Sequence, residues 1–110
     1  MLEDYKELDV YVTVGDHLGF NIDTSDLFFG TIQPGASGKR SITLELDNCD
    51  KCKVNLKSSG SIKDWISISE NNFIIKKGEK KSLDIFLNIP NNAQYGNYTG
   101  RLMIYFWKDI

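Results

Sequence analysis

The sequence predicts an all-β fold, an antiparallel β-sandwich, on three observations. Apolar residues recur at every second position along most of the chain. Short clusters of Gly, Asn, Asp and Ser break that alternation about every eight to twelve residues. No window carries a helical period, and the chain leaves no room for the crossover helices a parallel sheet needs. At 110 residues and 41% hydrophobic, residues 1–110 form one domain able to bury a core without metal or several disulfides.

The elements follow in order. Leu8, Val10, Val12 and Val14 alternate with Asp9, Tyr11 and Thr13, a first strand ended by Gly15-Asp16. Met1–Lys6 reads as a polar lead-in to it. Leu18, Phe20 and Ile22 share a parity and predict a short second strand, closed by Asp23–Asp26. Leu27–Ile32 is the next, stopped by Gln33-Pro34-Gly35, which has type II turn chemistry: Pro presets φ and Gly accepts the positive φ that follows. Arg40–Asp47 places Ile42, Leu44 and Leu46 on one face; Lys53–Lys57 returns after a turn at Asn48–Lys51, and Ser58–Ser61 is loop.

Asp64–Ser69 and Phe73–Ile75 are short strands, with at most one helical turn at Ser61–Trp65. After a turn at Lys77–Glu79, Leu83–Ile89 gives the cleanest alternation, and Tyr98–Lys108 closes the chain. About seven to nine strands at this spacing match an immunoglobulin-like sandwich. Shared parity names a core of Val10, Val12, Ile42, Leu44, Leu46, Val54, Leu56, Trp65, Ile66, Ile68, Leu83, Ile85, Leu87, Leu102 and Ile104.

Charge excludes some functions. The net charge of −2 and scattered Lys and Arg give no basic, aromatic-interleaved face for nucleic acid. The densest run, Lys76–Lys81, straddles a turn and reads as solvated. No stretch approaches the ~18 apolar residues of a membrane span, so no membrane insertion is expected of this chain. Two readings of the start compete: a complete cytosolic protein, or one whose anchor or signal precedes Met1.

Few residues carry chemistry. Cys49-Asp50-Lys51-Cys52 is the one reactive constellation. Its flanks are strands, not the helix N-terminus that activates a redox C-x-x-C. A zinc site needs two more ligands, and His17 is the single further strong one unless a dimer completes it. A small disulfide closing the turn and two plain thiols remain, the disulfide preferred. His17 has no nucleophile motif beside it and reads as a loop histidine. Glu3-Asp4 and Asp23/Asp26 lie at a terminus or in loops, and Asp47, Asn48 and Asp50 lack calcium-loop spacing. We expect no catalytic residue, no metal and no cofactor. Trp65 reads as core packing and Tyr98 as a tyrosine corner, its hydroxyl bonded back to nearby backbone.

The last strand is apolar on both faces. Leu102, Ile104 and Phe106 take one; Arg101, Met103, Tyr105 and Trp107 take the other, a candidate interaction surface for a protein partner or self-association unless the N-terminal segment covers it. We expect this strand to lie at a sheet edge, open to a partner strand. Asn97-Tyr98-Thr99 is the one N-x-Ser/Thr triplet, making Asn97 a glycosylation candidate.

The order of Phe-Gly-x-Ile-x-Pro-Gly at Phe29–Gly35, Asp-Trp-Ile-Ser-Ile-Ser at Asp64–Ser69, Phe-Ile-Ile-x-x-Gly-Glu at Phe73–Glu79 and Ile-Pro-x-x-Ala-x-x-Gly-x-Tyr-x-Gly at Ile89–Gly100 resembles immunoglobulin-like domains of archaeal and bacterial surface proteins. Major-sperm-protein-like and pilus-chaperone-like sandwiches are similar in outline. The resemblance spans Leu27–Ile104 and rests on turn and core devices. It implies a non-enzymatic structural or interaction module facing outward from a cell envelope. The alternatives are an intracellular major-sperm-protein-like scaffold or a metal or redox module at Cys49 and Cys52.

Overall fold

The computed structural model describes residues 2–15, 27–45 and 49–108. The strand expected at Leu18–Ile22, His17, Asp23, Asp26 and Leu46–Asn48 lie outside these residues. Eight strands are described: β1 (Leu2–Val14), β2 (Leu27–Ile32), β3 (Ser37–Glu45), β4 (Lys51–Gly60), β5 (Ile66–Ile68), β6 (Phe73–Lys76), β7 (Lys80–Asn88) and β8 (Gly96–Lys108). One 3-10 turn, Lys63–Trp65, precedes β5.

The strands form two sheets, β2-β1-β8-β4-β6 and β3-β7-β5, the two layers of an immunoglobulin-like sandwich. Inner positions interdigitate between them: Val10, Val12 and Val14 of β1, Cys52, Val54 and Leu56 of β4, and Leu102, Ile104 and Phe106 of β8 meet Leu44 of β3 and Leu83, Ile85 and Leu87 of β7. Ile42, Ile66, Ile68 and Trp65 of the expected core are only half-buried. Among the described strands β3 and β5 are the edges of the narrower sheet, each paired on one side to β7.

Four expectations are corrected. β1 begins at Leu2, not Leu8, and pairs with β8 along its whole length, from Leu2 opposite Trp107 to Val14 opposite Gly96. The residues opposite Phe106 and Ile104 there are Asp4 and Lys6, polar side chains at positions of core parity, which is why the segment reads as a polar lead-in. β4 runs through Ser58 to Gly60 instead of ending in loop, because backbone pairing to Leu102, Arg101 and Gly100 holds it whatever its side chains. β1 and β2 pair in parallel, against antiparallel pairing at every other described junction. Finally β8 is interior, with β1 and β4 bonded to its two sides, so its backbone cannot accept a partner strand.

The turns behave as their residues dictate. Ala36 N–H donates to the Gln33 carbonyl at 3.0 Å, with Gly35 at φ +83°. The Tyr98 hydroxyl donates to the Gln94 carbonyl at 2.7 Å, the tyrosine corner, and Trp65 packs against its ring at 5.1 Å.

Ile62, fully buried, comes from a segment with no periodicity to flag it. It enters because Gly60 and Gly100 stand opposite one another. A Cβ on Gly100 would lie 2.7 Å from Ile62 Cγ1, so the missing side chain makes Ile62's place.

Candidate functional site

The outer face of the five-stranded sheet carries the side chains β8 turns away from the core. Register lays them out in rows. The first runs Leu2–Trp107–Lys53–Ile74 across β1, β8, β4 and β6. The second is Tyr5–Tyr105–Asn55, the third Glu7–Met103–Lys57 and the fourth Asp9–Arg101–Ser59. Leu2, Tyr5, Ile74 and Trp107 are 43%, 37%, 49% and 42% exposed, and they fall in the first two rows. Scattered exposed apolar residues mean little; a contiguous set marks a contact surface.

The rings are mutually braced. Tyr5 and Tyr105 lie 4.9 Å apart between centroids, and Tyr105 and Trp107 lie 6.2 Å apart and near parallel. Lys57 Nζ sits 5.7 Å from the Tyr105 ring centre, within cation–π reach. Tyr5 donates its hydroxyl to the Glu7 carboxylate. That hydrogen bond, with smaller help from desolvation and the Glu7 charge, pushes the phenol up to about 12, so it stays a donor at physiological pH. Arg101 Nε reaches Asp9 Oδ1 at 3.4 Å and Glu7 Oε2 at 3.7 Å. The Glu7 charge, then the bond to and charge of Asp9, raise its already high pKa, and the guanidinium stays charged.

Of the four expected surface residues, Arg101 and Trp107 are exposed and Met103 and Tyr105 half-buried, all on this one face. The N-terminal segment does not cover them; β1 lies beside β8 and adds Leu2 and Tyr5 to the same surface. Leu2, Tyr5, Lys53 and Ile74 escaped sequence reasoning, since only cross-strand register brings them to Trp107. The outer positions of β4 and β6 hold Lys51, Lys53, Lys57 and Lys76 and no acid, in a chain of net charge −2.

Cys49 and Cys52 are joined in a disulfide, Cα atoms 6.2 Å apart, at the mouth of β4. Both are buried, Cys52 completely. Thiol–disulfide exchange needs access to a sulfur, so the pair fits a staple rather than a redox centre. Among the described residues no group of three or more His, Cys, Asp or Glu could hold a metal, and no polar or charged residue is buried. Asn97 is exposed on the same outer face, at the opposite end from Trp107, its Oδ1 accepting from Thr13 Oγ1 at 2.7 Å.

No family model matches the sequence, and no curated protein matches it. Among solved structures the chain is similar to the DraE adhesin determined in complex with chloramphenicol succinate: TM-score 0.54, 14% identity, covering 97% of this chain and 98% of that one. The likeness is one of fold. A DaaE adhesin is 12% identical over 98% of this chain and 100% of its own, with a TM-score of 0.44. No helix among the described residues is long and apolar enough to cross a membrane.

Proposed function

We propose that the protein is a non-enzymatic interaction module of a cell envelope, of the archaeal type its turn and core motifs resemble, and that it binds a partner protein through the outer face around Trp107. The observation that carries this reading is the row Leu2–Trp107–Lys53–Ile74, whose three apolar members are all more than two-fifths exposed. Aromatic anchors amid a polar rim are the composition of binding surfaces. The disulfide and the N-x-Thr triplet support an oxidising, outward-facing location. The lysines support an acidic partner surface.

The test combines fractionation of the cells of origin with a Tyr105→Ser, Trp107→Ser double variant. The protein is expected in the envelope fraction. The variant is expected to lose about 1–2 kcal/mol of unfolding free energy, because Tyr105 is half-buried, and to stay folded at the temperature of the binding assay. Its affinity for the partner captured by the unsubstituted protein is expected to fall about 30-fold, the loss of a single ~2 kcal/mol hot spot. Unchanged capture would overturn the assignment of the surface. An unsubstituted protein that is dimeric, with the variant monomeric, would make the partner a second copy.

A further inference from the structure

The far end of the same face holds a second feature with different chemistry. Tyr11 of β1 and Phe28 of β2 stack with centroids 4.7 Å apart and planes 16° from parallel. β2 has an extra residue just after Phe28, where Gly30 takes φ +70° and adds no side chain. The result is an open hollow of about 250 Å3 whose lining includes Tyr11, Phe28, Gly30, Asn97 and Thr99. Asn97 and Thr99 lie two apart on β8, so the amide and the hydroxyl of the N-x-Thr triplet share the outer face. Thr13 Oγ1 donates to Oδ1 of Asn97, so that bond leaves Nδ2, the nitrogen that takes a sugar, unoccupied.

We propose that Asn97 carries an N-linked glycan whose first sugar rests in this hollow against the Tyr11–Phe28 stack. The co-reactant is a lipid-phosphate-linked oligosaccharide with its transferase. The Asn97 Nδ2–C1 bond forms, the C1–O bond to the lipid phosphate breaks, the phosphate leaves with the electron pair, and one amide proton passes to a base of the transferase. The hollow falls below the ~300–1,000 Å3 of pockets that hold free ligands, and it is shallow. A covalently tethered sugar needs no deeper site, since its effective concentration there is on the order of millimolar. The C–H face of a pyranose against an aromatic ring, with Asn97 and Thr99 at the rim, supplies apolar and polar contact together. The inference rests on the outward-facing location proposed above and is independent of the Trp107 surface.

The first test is the mass of the Asn97 peptide from protein purified from its own cells. A shift by whole sugar residues is expected. An unmodified peptide overturns the inference, and the fractionation result then shows whether the envelope reading falls with it. The second test uses Thr99→Ala, which destroys the triplet but keeps the Asn97–Thr13 bond, against Thr99→Ser, which preserves the triplet. Made in glycosylating cells, Thr99→Ala is expected to melt about 4 °C below Thr99→Ser, and the gap should vanish in cells lacking the transferase. It should vanish also in a Tyr11→Leu, Phe28→Leu background, which keeps the apolar bulk but removes both rings. A gap that persists in that background places the glycan elsewhere. Saturable binding of free monosaccharide or oligosaccharide to the unglycosylated protein would make the hollow a sugar-recognition site instead and overturn the tethered account.

Discussion

Phe106→Ala is expected to lower the free energy of unfolding by about 3–5 kcal/mol, a large part of the ~5–15 kcal/mol a domain this size has. Phe106 is 1% exposed and projects from the middle strand of the five-stranded sheet, between Asp4 of β1 and Val54 of β4 in the register. Truncation removes the transfer free energy of the ring and leaves a cavity that a sheet with β1 and β4 bonded to the two sides of β8 cannot close. Urea unfolding followed by tryptophan fluorescence measures it, with the slope unchanged if the variant stays two-state. A loss under about 1 kcal/mol would mean that β8 presents its other parity to the core. Trp107, one residue on, would then be the buried side chain.

The second large effect is at Gly60. Gly60→Ala is expected to cost about 2–4 kcal/mol, the sum of left-handed backbone strain and crowding. Gly60 sits at φ +96°, and an added Cβ would lie 3.0 Å from Gly100 Cα and 3.3 Å from the Thr99 carbonyl oxygen, both backbone atoms that side-chain motion cannot relieve. Gly78 is the internal control. Its φ is +83° but no atom of the described residues lies within 4 Å of the added Cβ, so Gly78→Ala should cost about 1–2 kcal/mol from strain alone. Thermal or urea unfolding of the two variants side by side gives the difference. Equal losses would show that the close passage of β4 over β8, which seats Ile62, is not what constrains Gly60.

The architecture was legible because its causes are local. Alternation at Leu83–Leu87 and Val10–Val14 and the Pro34-Gly35 and Lys77-Gly78 turns each act over a few residues, and the described strands follow them. Tyr98 was legible too, its partner Gln94 being four residues away. What was not legible depends on pairing between distant segments. Leu2 and Tyr5 read as a polar leader until β1 is laid against β8. Ile74 lies in a short strand to which the sequence assigns no face until its register with Lys53 puts it outside. The interior place of β8 is a property of strand order, which alternation does not encode. For the same reason Met103, Tyr105 and Trp107 were found as an apolar parity, while the patch they form with Leu2, Tyr5 and Ile74 was not. Asn97 was visible as a triplet, but the stack and hollow beside it come from the parallel pairing of β1 with β2.

On the function proposed above, the partner sits on the outer face of the five-stranded sheet, around Trp107. Site-specific photo-crosslinking in intact cells tests it most directly, with benzoylphenylalanine placed at Trp107 in one variant and at Thr43 in another. Thr43 is exposed on the outer face of the opposite sheet, so it serves as the matched control. A discrete adduct to another protein is expected from position 107 and none from position 43. An adduct from position 43 alone would contradict it.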